Sequence, residues 1–347
     1  MTGSEMTKLP CFYAPDTDAH DPRFWMLRGV PGPNKELPER ARRLVAGLTR
    51  VGLTTIDPPV ADHGPLRQIH TARYLDFLQN CWAEWQTFPA AGAEVVANLH
   101  PQKATQTYPQ GIVGRAGWHM ADTACPVGPS TWQAALRGVD TALAAADAVA
   151  NGAGAAYALC RPPGHHADAD MAAGHCFLNN SAIAAQALRA RHDRVAVLDI
   201  DVHHGNGTQE IFYDRADVLT VSVHADPGSF YPFYLGYAHE TGRGAGQGFN
   251  LNLPLPQGQG DAQWLAAIDQ ALTRIAEFAP GALVLALGLD AHENDPLRGL
   301  SVTTEGFARA ARHIRAAGLP TVMVQEGGYL SDDLTDNIAS FLGGWTQ

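Results

Sequence analysis

The chain has 347 residues, of which 46% are hydrophobic, and a formal net charge of −11 at pH 7. It contains no run of about 18 apolar residues, so we expect no membrane partner. It contains no Lys/Arg cluster of the kind that a nucleic-acid surface requires, so we expect no nucleic-acid partner either. The acidic balance weakly favours a cationic substrate, and the 15 histidines favour metal or proton-transfer chemistry.

The amino terminus and the cysteines indicate the compartment. Residues 1–20 lack the cationic start and apolar run of a secretory signal. The cysteines are odd in number and include no C-x-x-C pair, which favours reduced thiols over a disulfide framework. They are Cys11, Cys81, Cys125, Cys160 and Cys176. We therefore expect a cytoplasmic protein.

The front part of the chain predicts little regular structure. Residues 1–35 are rich in Pro, Gly and Asp and predict loop, apart from a short strand at residues 11–13. Helices are predicted from residue 38 to just before Gly52, over residues 71–85, and from a cap at Ser130 or Thr131 to residue 151. Residues 88–129 show weak periodicity, so we expect a long functional or interfacial loop there.

From residue 156 onward, apolar strands alternate with helices. Strands are predicted at residues 156–160, 218–223, 283–287 and 321–324, and another begins at residue 195. Helices are predicted at residues 180–191, near 209, and at 261–278, 304–317 and 332–342. This alternation predicts an α/β fold with a mostly parallel sheet and helices on both faces. We see no composition break after residue 130 and expect one domain over residues 1–347, with 88–129 as an insertion.

Polar residues cluster where these strands end, the edge at which open parallel sheets bind ligands. Asp199, Asp201 and His203 alternate along one strand, so they share a side if the extended geometry continues. An isolated Asp-x-His is more simply a polar turn with a surface His pair. With Asp290 after another strand, however, two carboxylates and one imidazole form the ligand set of a catalytic Zn²⁺ or Fe²⁺ site.

Two further strand ends supply groups for amide or ester hydrolysis. His165 and His166 follow a rigid Pro-Pro-Gly turn and can carry protons, although either could instead be a capping or core histidine. Asp199 and Asn206 are candidate partners that hold the imidazole tautomers. Tyr329 follows two glycines and can donate a hydrogen bond to an oxyanion, although Gly-Gly-Tyr alone is a weak signal.

Together these stretches resemble the histone deacetylase and acetylpolyamine amidohydrolase superfamily. The resemblance rests on Arg-Pro-Pro-Gly-His-His at residues 161–166, Gly-His-Cys-Phe-Leu-Asn-Asn at 174–180, Asp-Ile-Asp-Val-His-His-Gly-Asn-Gly-Thr-Gln at 199–209, Leu-Gly-Leu-Asp-Ala-His-Glu-Asn-Asp-Pro at 287–296 and Glu-Gly-Gly-Tyr at 326–329. It extends from about residue 69 to the C-terminus. It implies an arginase-like three-layer fold and a Zn²⁺-dependent deacetylase.

The resemblance also implies roles for individual residues. Asp201, His203 and Asp290 would bind zinc, His166 would act as general base and then general acid, and Tyr329 would polarise the acetyl carbonyl. His165 would pair with Asp199. A structural K⁺ site would use Asp199, Asp201, His203, Ser222 and Val223. A second K⁺ site would use Phe212, Arg215, Val218 and Phe249.

Asn206 and Glu326 differ from the nuclear histone deacetylases, which usually have Asp and Gly there. Residues 230–242 and the long segment before Asp122 resemble the bacterial acetylpolyamine type, in which that segment supports a homodimer. The substrate contacts implied are Asp122 at the rim and Gly174, His175 and Tyr231 along the tunnel. Leu297 occupies the position of an extra acid at the mouth, and residues 99–120 contain no Asp or Glu. These departures argue against strict polyamine selectivity.

The sequence therefore predicts a zinc amidohydrolase that deacetylates a small acetylated primary amine such as an acetylpolyamine. A lysine deacylase acting on peptide or protein tails is the alternative, because a slender tunnel serves both substrates. A non-catalytic binding protein is less favoured, since every catalytic position is filled. A ureohydrolase with two Mn²⁺ ions would need more carboxylate ligands.

Overall fold

One parallel sheet of eight strands carries the predicted site. The computed structural model describes residues 9–101 and 107–347. The strands of the sheet are β1 Cys11–Phe12, β4 Thr55–Ile56, β5 Ala155–Ala158, β6 Val195–Asp199, β7 Val218–Ala225, β8 Asn250–Leu255, β9 Ala282–Leu287 and β10 Thr321–Gln325. A separate antiparallel hairpin pairs β2 Phe24–Leu27 with β3 Val30–Pro33. The order in the sheet is β4-β1-β5-β10-β9-β6-β7-β8.

The central strands β6, β7, β9 and β10 are buried along their whole length. Their near-continuous apolar runs are typical of parallel strands covered on both faces. The register aligns Asp199 with Ser222 of β7 on one side and with Ala286 of β9 on the other. The carboxyl ends of these strands therefore meet at one edge, and the polar residues that follow them lie together.

Helices cover both faces of the sheet. They are α1 Pro38–Arg50, α2 Gly64–Ile69, α3 Ala72–Trp85, α4 Ile112–His119, α5 Thr131–Ala150, α6 Asn180–Leu188, α7 Asn206–Phe212, α8 Asp261–Phe278, α9 Thr304–Ala316 and α10 Leu334–Thr346. One apolar core contains Trp264, Phe307 and Phe341, and a second contains Tyr74 and Phe77. The α/β, three-layer fold class predicted from the sequence is confirmed.

The front of the chain differs from the sequence prediction. Residues predicted as loop contain the hairpin β2–β3, which turns at Arg28 and Gly29 with φ of 51° and 79°. The 88–129 segment contains helix α4 rather than loop alone. Ser130 stands at the N-cap of α5 without a side-chain bond, and Thr131 Oγ1 instead accepts from Gly128 N at 2.9 Å. Weak periodicity concealed these elements because Pro and Gly interrupt them.

Later elements follow the prediction more closely. Helix α8 has the bounds expected from its pattern, while α6 ends at Leu188, three residues before the expected Arg191. Strand β8 was missed because Asn250, Asn252 and Pro254 are atypical of a buried strand, but β8 is an edge strand, where Pro is tolerated. Among the helices of the described chain, none combines the length and apolarity that crossing a bilayer requires.

Candidate active site

The turn after β6 and the turn after β9 bring together three side chains of types that can ligate a metal. Asp290 Oδ1 accepts from Val202 N at 3.0 Å, and this bond joins the two turns. Asp201 Oδ2 accepts from Gly327 N at 2.8 Å, which ties the third turn, after β10, to the same point. Asp201, His203 and Asp290 are all buried, and their ligand atoms lie within 4.8 Å of one another.

This cluster fits a divalent cation. His203 Nδ1 lies 3.1 Å from Asp201 Oδ1 and 3.2 Å from Asp290 Oδ2. Asp290 Oδ2 is nevertheless a buried oxygen without a hydrogen-bond donor among the described residues. Burial and the charge of Asp201 raise the pKa of Asp290. Two buried carboxylates beside one imidazole require a neutralising charge, and an open three-ligand set is the form of a catalytic site.

His165 and His166 lie beside the cluster, and the centroids of their rings are 4.0 Å apart. His165 Nδ1 lies 2.9 Å from Asp199 Oδ2, and His166 Nδ1 lies 2.7 Å from Asn206 Oδ1. The first imidazole thus has a charged partner and the second a neutral one. In both cases Nδ1 is engaged by the partner, which leaves Nε2 as the nitrogen available for other chemistry.

The two imidazoles have opposite electrostatic surroundings. Burial lowers the pKa of His165, but the charges of Asp201 and Asp199 outweigh it and raise that pKa to about 10. Burial, together with the charges of His165 and His203, lowers the pKa of His166 well below its ordinary value. Titratable neighbours whose pKa values are pushed apart are typical of sites that separate a charged role from a proton-transfer role.

Tyr329 is buried at the end of the turn after β10. Its backbone amide donates to Asp295 Oδ2 at 2.7 Å, and the guanidinium of Arg40 lies 4.8 Å from its ring centroid. Arg40 also donates to the carbonyls of Gly328 at 2.6 Å and Glu326 at 2.7 Å. The glycine turn that precedes the phenol is therefore held from several sides, which fixes the ring's position.

Two buried acids, Glu326 and Asp295, had no assigned role in the sequence analysis. Glu326 Oε2 accepts from Gly164 N at 2.6 Å and from His165 N at 3.0 Å, and Oε1 accepts from Ser181 Oγ at 2.7 Å. Asp295 accepts from both Tyr329 N and Leu297 N, each at 2.7 Å. For Glu326 the available signal was an acid directly after strand β10, whereas Asp295 lies well beyond the end of β9 and offered no such signal. Only tertiary contacts show what each carboxylate holds.

A cavity of about 730 Å³ extends from the candidate site to the protein surface. His166, His203 and Tyr329 line it, as do the four predicted substrate contacts Asp122, Gly174, His175 and Tyr231. Asp122 Oδ2 accepts from Tyr231 OH at 2.7 Å and from Gly174 N at 3.1 Å, so three of these four residues form one group. The His175 ring lies 5.6 Å from that of Tyr329 and 6.0 Å from that of Trp25.

Gly174 occupies a position that a larger residue would disturb. Its φ is +50°, and a Cβ placed there would lie 2.4 Å from Cδ2 of His166 and 3.0 Å from the hydroxyl of Tyr231. His175, the next residue, also has a positive φ of 69°. The backbone here approaches the imidazole more closely than an alanine would permit, and glycine supplies that approach.

The residues of the first predicted K⁺ site meet at the carboxyl ends of β6 and β7. Asp199 and Ser222 are register partners, Val223 follows, and Asp201 and His203 continue from β6. Ser222 Oγ lies 2.8 Å from His224 Nδ1. His204 packs against His224 at 4.6 Å between ring centroids and faces Asn252, so it belongs to this second group of polar residues.

The residues of the second predicted K⁺ site lie around the start of β7. Phe212 ends α7, Val218 opens β7 and Phe249 precedes β8. The carbonyl of Phe212 accepts from Arg215 N at 2.9 Å, and that of Phe249 accepts from Thr220 N at 3.1 Å. The chain thus brings these four residues to one end of the sheet, opposite the catalytic edge.

A parallel sheet with a buried Asp-His-Asp cluster and a flanking histidine pair is typical of a metal-dependent hydrolase. Residues 34–344 match the histone deacetylase domain. The chain belongs to the histone deacetylase family and is a deacetylase. The family resemblance drawn from the sequence is therefore confirmed, and membership implies a metal cofactor.

Two of the relatives found are bacterial enzymes of nearly the same length. An acetylpolyamine amidohydrolase of Burkholderia pseudomallei is 49% identical over 96% of this chain and 98% of its own. Acetylpolyamine amidohydrolase 1 of Pseudomonas aeruginosa is 42% identical over 96% and 97%. A crystal structure of the acetylpolyamine aminohydrolase from Burkholderia pseudomallei, from an iodide soak, superposes with a TM-score of 0.95 at 48% identity, covering 97% of this chain and 98% of that one.

Proposed function

We propose that this protein is a Zn²⁺-dependent amidohydrolase that removes the acetyl group from a small acetylated primary amine. The observation that carries the proposal is the convergence of Asp201, His203 and Asp290 beside His166 and Tyr329 at the inner end of one cavity. The names of the relatives support an acetylpolyamine or a similar amine as the substrate. Fe²⁺ suits the same mixed ligand set.

The ligand residues and the proton carriers would have separate tasks. Asp201, His203 and Asp290 would hold the metal, which when bound polarises the amide carbonyl and makes water a better nucleophile. His166 takes the proton of the attacking water and returns it to the leaving amine. The phenol hydroxyl of Tyr329 donates a hydrogen bond to the oxyanion that develops on the carbonyl.

His165 has a different task in this proposal. Its pairing with Asp199 keeps it charged beside His166, so it stabilises negative charge instead of accepting the proton. Asn206 fixes the tautomer of His166 by accepting from Nδ1. In this tautomer Nδ1 carries the ring hydrogen, so Nε2 has the lone pair that can receive a proton.

The cavity wall would guide a slender acylated chain to this point. We propose that Asp122, Gly174, His175 and Tyr231 contact the substrate, with Asp122 holding the Tyr231 hydroxyl in place. Gly174 lets the backbone of this wall approach His166 and Tyr231 closely, because a Cβ at this position would collide with both.

We also propose K⁺ as a structural ion at the two sets of residues named above. Asp199 aligned with Ser222, with Val223, Asp201 and His203 adjoining, supports the first set, because oxygen-rich strand ends suit a hard cation. Phe212, Arg215, Val218 and Phe249 form the second set at the other end of β7.

We propose a homodimer that works in the cytoplasm. Exposed apolar side chains beside the cavity and in the 88–129 segment support the dimer, because apolar patches of this kind commonly mark an interface. They include Met26, Leu27, Leu99, Val113 and Phe233. The five cysteines are free and buried, which agrees with a reducing compartment.

A substrate panel with one variant tests the proposal. The panel is N-acetylputrescine, N⁸-acetylspermidine and an acetyl-lysine peptide, with acetate release as the readout. Tyr329→Phe should keep the metal and lose about 10²-fold or more in kcat, the size of effect seen when an oxyanion donor is removed. Wild-type kcat in that variant would contradict the role of Tyr329. Preference for the peptide would favour a lysine deacylase, and no hydrolysis by metal-loaded protein would favour a binding protein.

A further inference from the structure

The exposed charged groups at the cavity mouth are positive, so they would repel a polycationic substrate. Among the described residues that line the cavity, the acidic side chain is Asp122, and the basic ones are Arg28 and Arg298. Both arginines are exposed at the outer end, which we call the rim. A distal ammonium group of a bound substrate would therefore meet two guanidinium groups there.

Asp122 is poorly placed to offset these arginines. Its Oδ2 already accepts from Gly174 N and Tyr231 OH, and its Oδ1 accepts from Ala124 N at 2.8 Å. A carboxylate oxygen that accepts two hydrogen bonds has its lone pairs engaged, so a third donor gains little from it. The main role of the Asp122 carboxylate is therefore to hold the residues of the cavity wall in place.

Arg298 is held at the rim by the same acid that positions Tyr329. The buried Asp295 accepts from Tyr329 N and from Leu297 N, and Asp295 O accepts from Arg298 N at 3.2 Å. The guanidinium itself donates to Glu293 O at 2.6 Å. Arg298 therefore belongs to a braced loop, and its charge stays near the mouth.

Arg28 is presented by the hairpin β2–β3. Glu94 fixes that hairpin by accepting from Arg23 N at 2.9 Å and Phe24 N at 3.0 Å. Trp25 of the hairpin also lines the cavity and packs against His175. The hairpin thus joins the cavity wall to the second rim arginine.

On the basis of the proposed function, we propose that Arg28 and Arg298 select acetylated amines whose far end is a carboxylate, and disfavour those with a far-end ammonium. Between these groups and the metal site the cavity is largely apolar, with Trp25, Phe230, Tyr231 and Leu297 in its lining. The structure therefore matches an acetamide, an alkyl chain and an anionic end, as in an ω-acetamido acid.

The net charge of −11 acts in the opposite direction at long range. It draws cations towards the protein as a whole, whereas the rim charges act on the substrate once it is bound. At about 0.15 M ionic strength, exposed charges farther apart than about 8 Å are largely screened. We therefore expect the rim arginines to control selectivity at physiological salt.

Three acetamides with the same five-methylene chain test this proposal. They end in a carboxylate (6-acetamidohexanoate), a methyl group (N-hexylacetamide) and an ammonium (N-acetylcadaverine). We expect kcat/KM for the carboxylate to exceed that for the ammonium by about tenfold, since like and opposite charges a few ångströms apart differ by that order. Arg298→Gln should reduce this ratio several-fold, and Arg28→Gln should reduce it as well.

Arg309→Gln is the matched control. It removes one positive charge from the exposed face of α9 and should leave the ratio at its wild-type value. A wild-type preference for N-acetylcadaverine, or equal ratios in Arg298→Gln and Arg309→Gln, would overturn the proposal while leaving the deacetylase function intact. Absence of acetate release from all three compounds and from N-acetylputrescine, in metal-loaded protein, would instead contradict the proposed function.

Discussion

The backbone amide of His165 donates to the buried carboxylate of Glu326 across a distance of 3.0 Å. The same oxygen accepts from Gly164 N, and the other accepts from Ser181 Oγ. An acid that follows β10 therefore holds the turn that carries both imidazoles. Glu326 is in this sense a positioning residue for His165 and His166.

Glu326→Ala should destabilise the fold and lower turnover. It leaves three buried donors without an acceptor, at about 1–3 kcal/mol each, so we expect the free energy of unfolding to fall by about 3 kcal/mol or more. Urea unfolding followed by circular dichroism measures this. Glu326→Gln is the control, because its amide oxygen can accept both backbone N–H groups and its NH₂ can donate to Ser181 Oγ.

The comparison of the two Glu326 variants separates positioning from bulk stability. Glu326→Gln should keep most of the unfolding free energy and most of kcat. If Glu326→Ala unfolds at the wild-type urea concentration and turns over at the wild-type rate, the positioning role is wrong.

Gly174→Ala should impair catalysis without removing the metal. The new Cβ would lie 2.4 Å from Cδ2 of His166, so either the imidazole or the backbone must shift. A displacement of about 1 Å at a reacting group can lower the rate by about 10²-fold. We expect a loss of that order in kcat/KM, with metal content by elemental analysis unchanged.

Gly154→Ala is the matched control for this substitution. Gly154 has no atom within 4 Å of the position its Cβ would take, and its φ is not positive. Equal kcat/KM in the two alanine variants would show that the close approach at Gly174 does not matter for His166.

His70 should make stability depend on pH in mildly acidic solution. It is buried, accepts from Asn179 N at 2.9 Å, and burial lowers its pKa to about 4. The unfolded chain binds this proton near pH 6.5, whereas the folded chain does not until about pH 4. Stability is therefore lost as the pH falls through this window, by up to about 1.4 kcal/mol per pH unit from this group.

His70→Gln should remove that contribution, because the glutamine carbonyl can still accept from Asn179 N but does not titrate. The free energy of unfolding measured between pH 7 and pH 4 should fall less steeply than in the wild type. Parallel curves for the two proteins would show that His70 binds its proton equally in both states.

The sequence predicted most of the sheet because its central strands are buried on both faces. An apolar run such as residues 282–287 can be recognised as a strand from the sequence alone. The polar residues after it identify the functional edge of the sheet. The edge strand β8 and the hairpin β2–β3 could not be recognised from the sequence. Their Asn, Pro and Gly residues do not favour strands, and contacts with residues distant in sequence stabilise them. Glu94, for example, holds the hairpin from 70 positions away.

The sequence identified the side chains of the candidate metal site individually. It identified much less well the residues that hold the site in place and those at the cavity mouth. Asp201 and His203 share a strand end, so spacing alone suggested a common ion. Glu326 and Asp295 act through backbone amides that no side-chain motif encodes. The charge of the rim depends on which loops meet there, and residues 28 and 298 are too distant in sequence to associate.

Acetate release from N-acetylputrescine as Zn²⁺ is added back to metal-stripped protein tests the central claim most directly. We expect negligible hydrolysis without metal and a rate that rises to a plateau at one ion per Asp201–His203–Asp290 site. Asp290→Ala should bind the ion poorly and stay inactive over the same titration. Undiminished hydrolysis by the metal-stripped protein, or no acetate release at any metal content, would contradict the account.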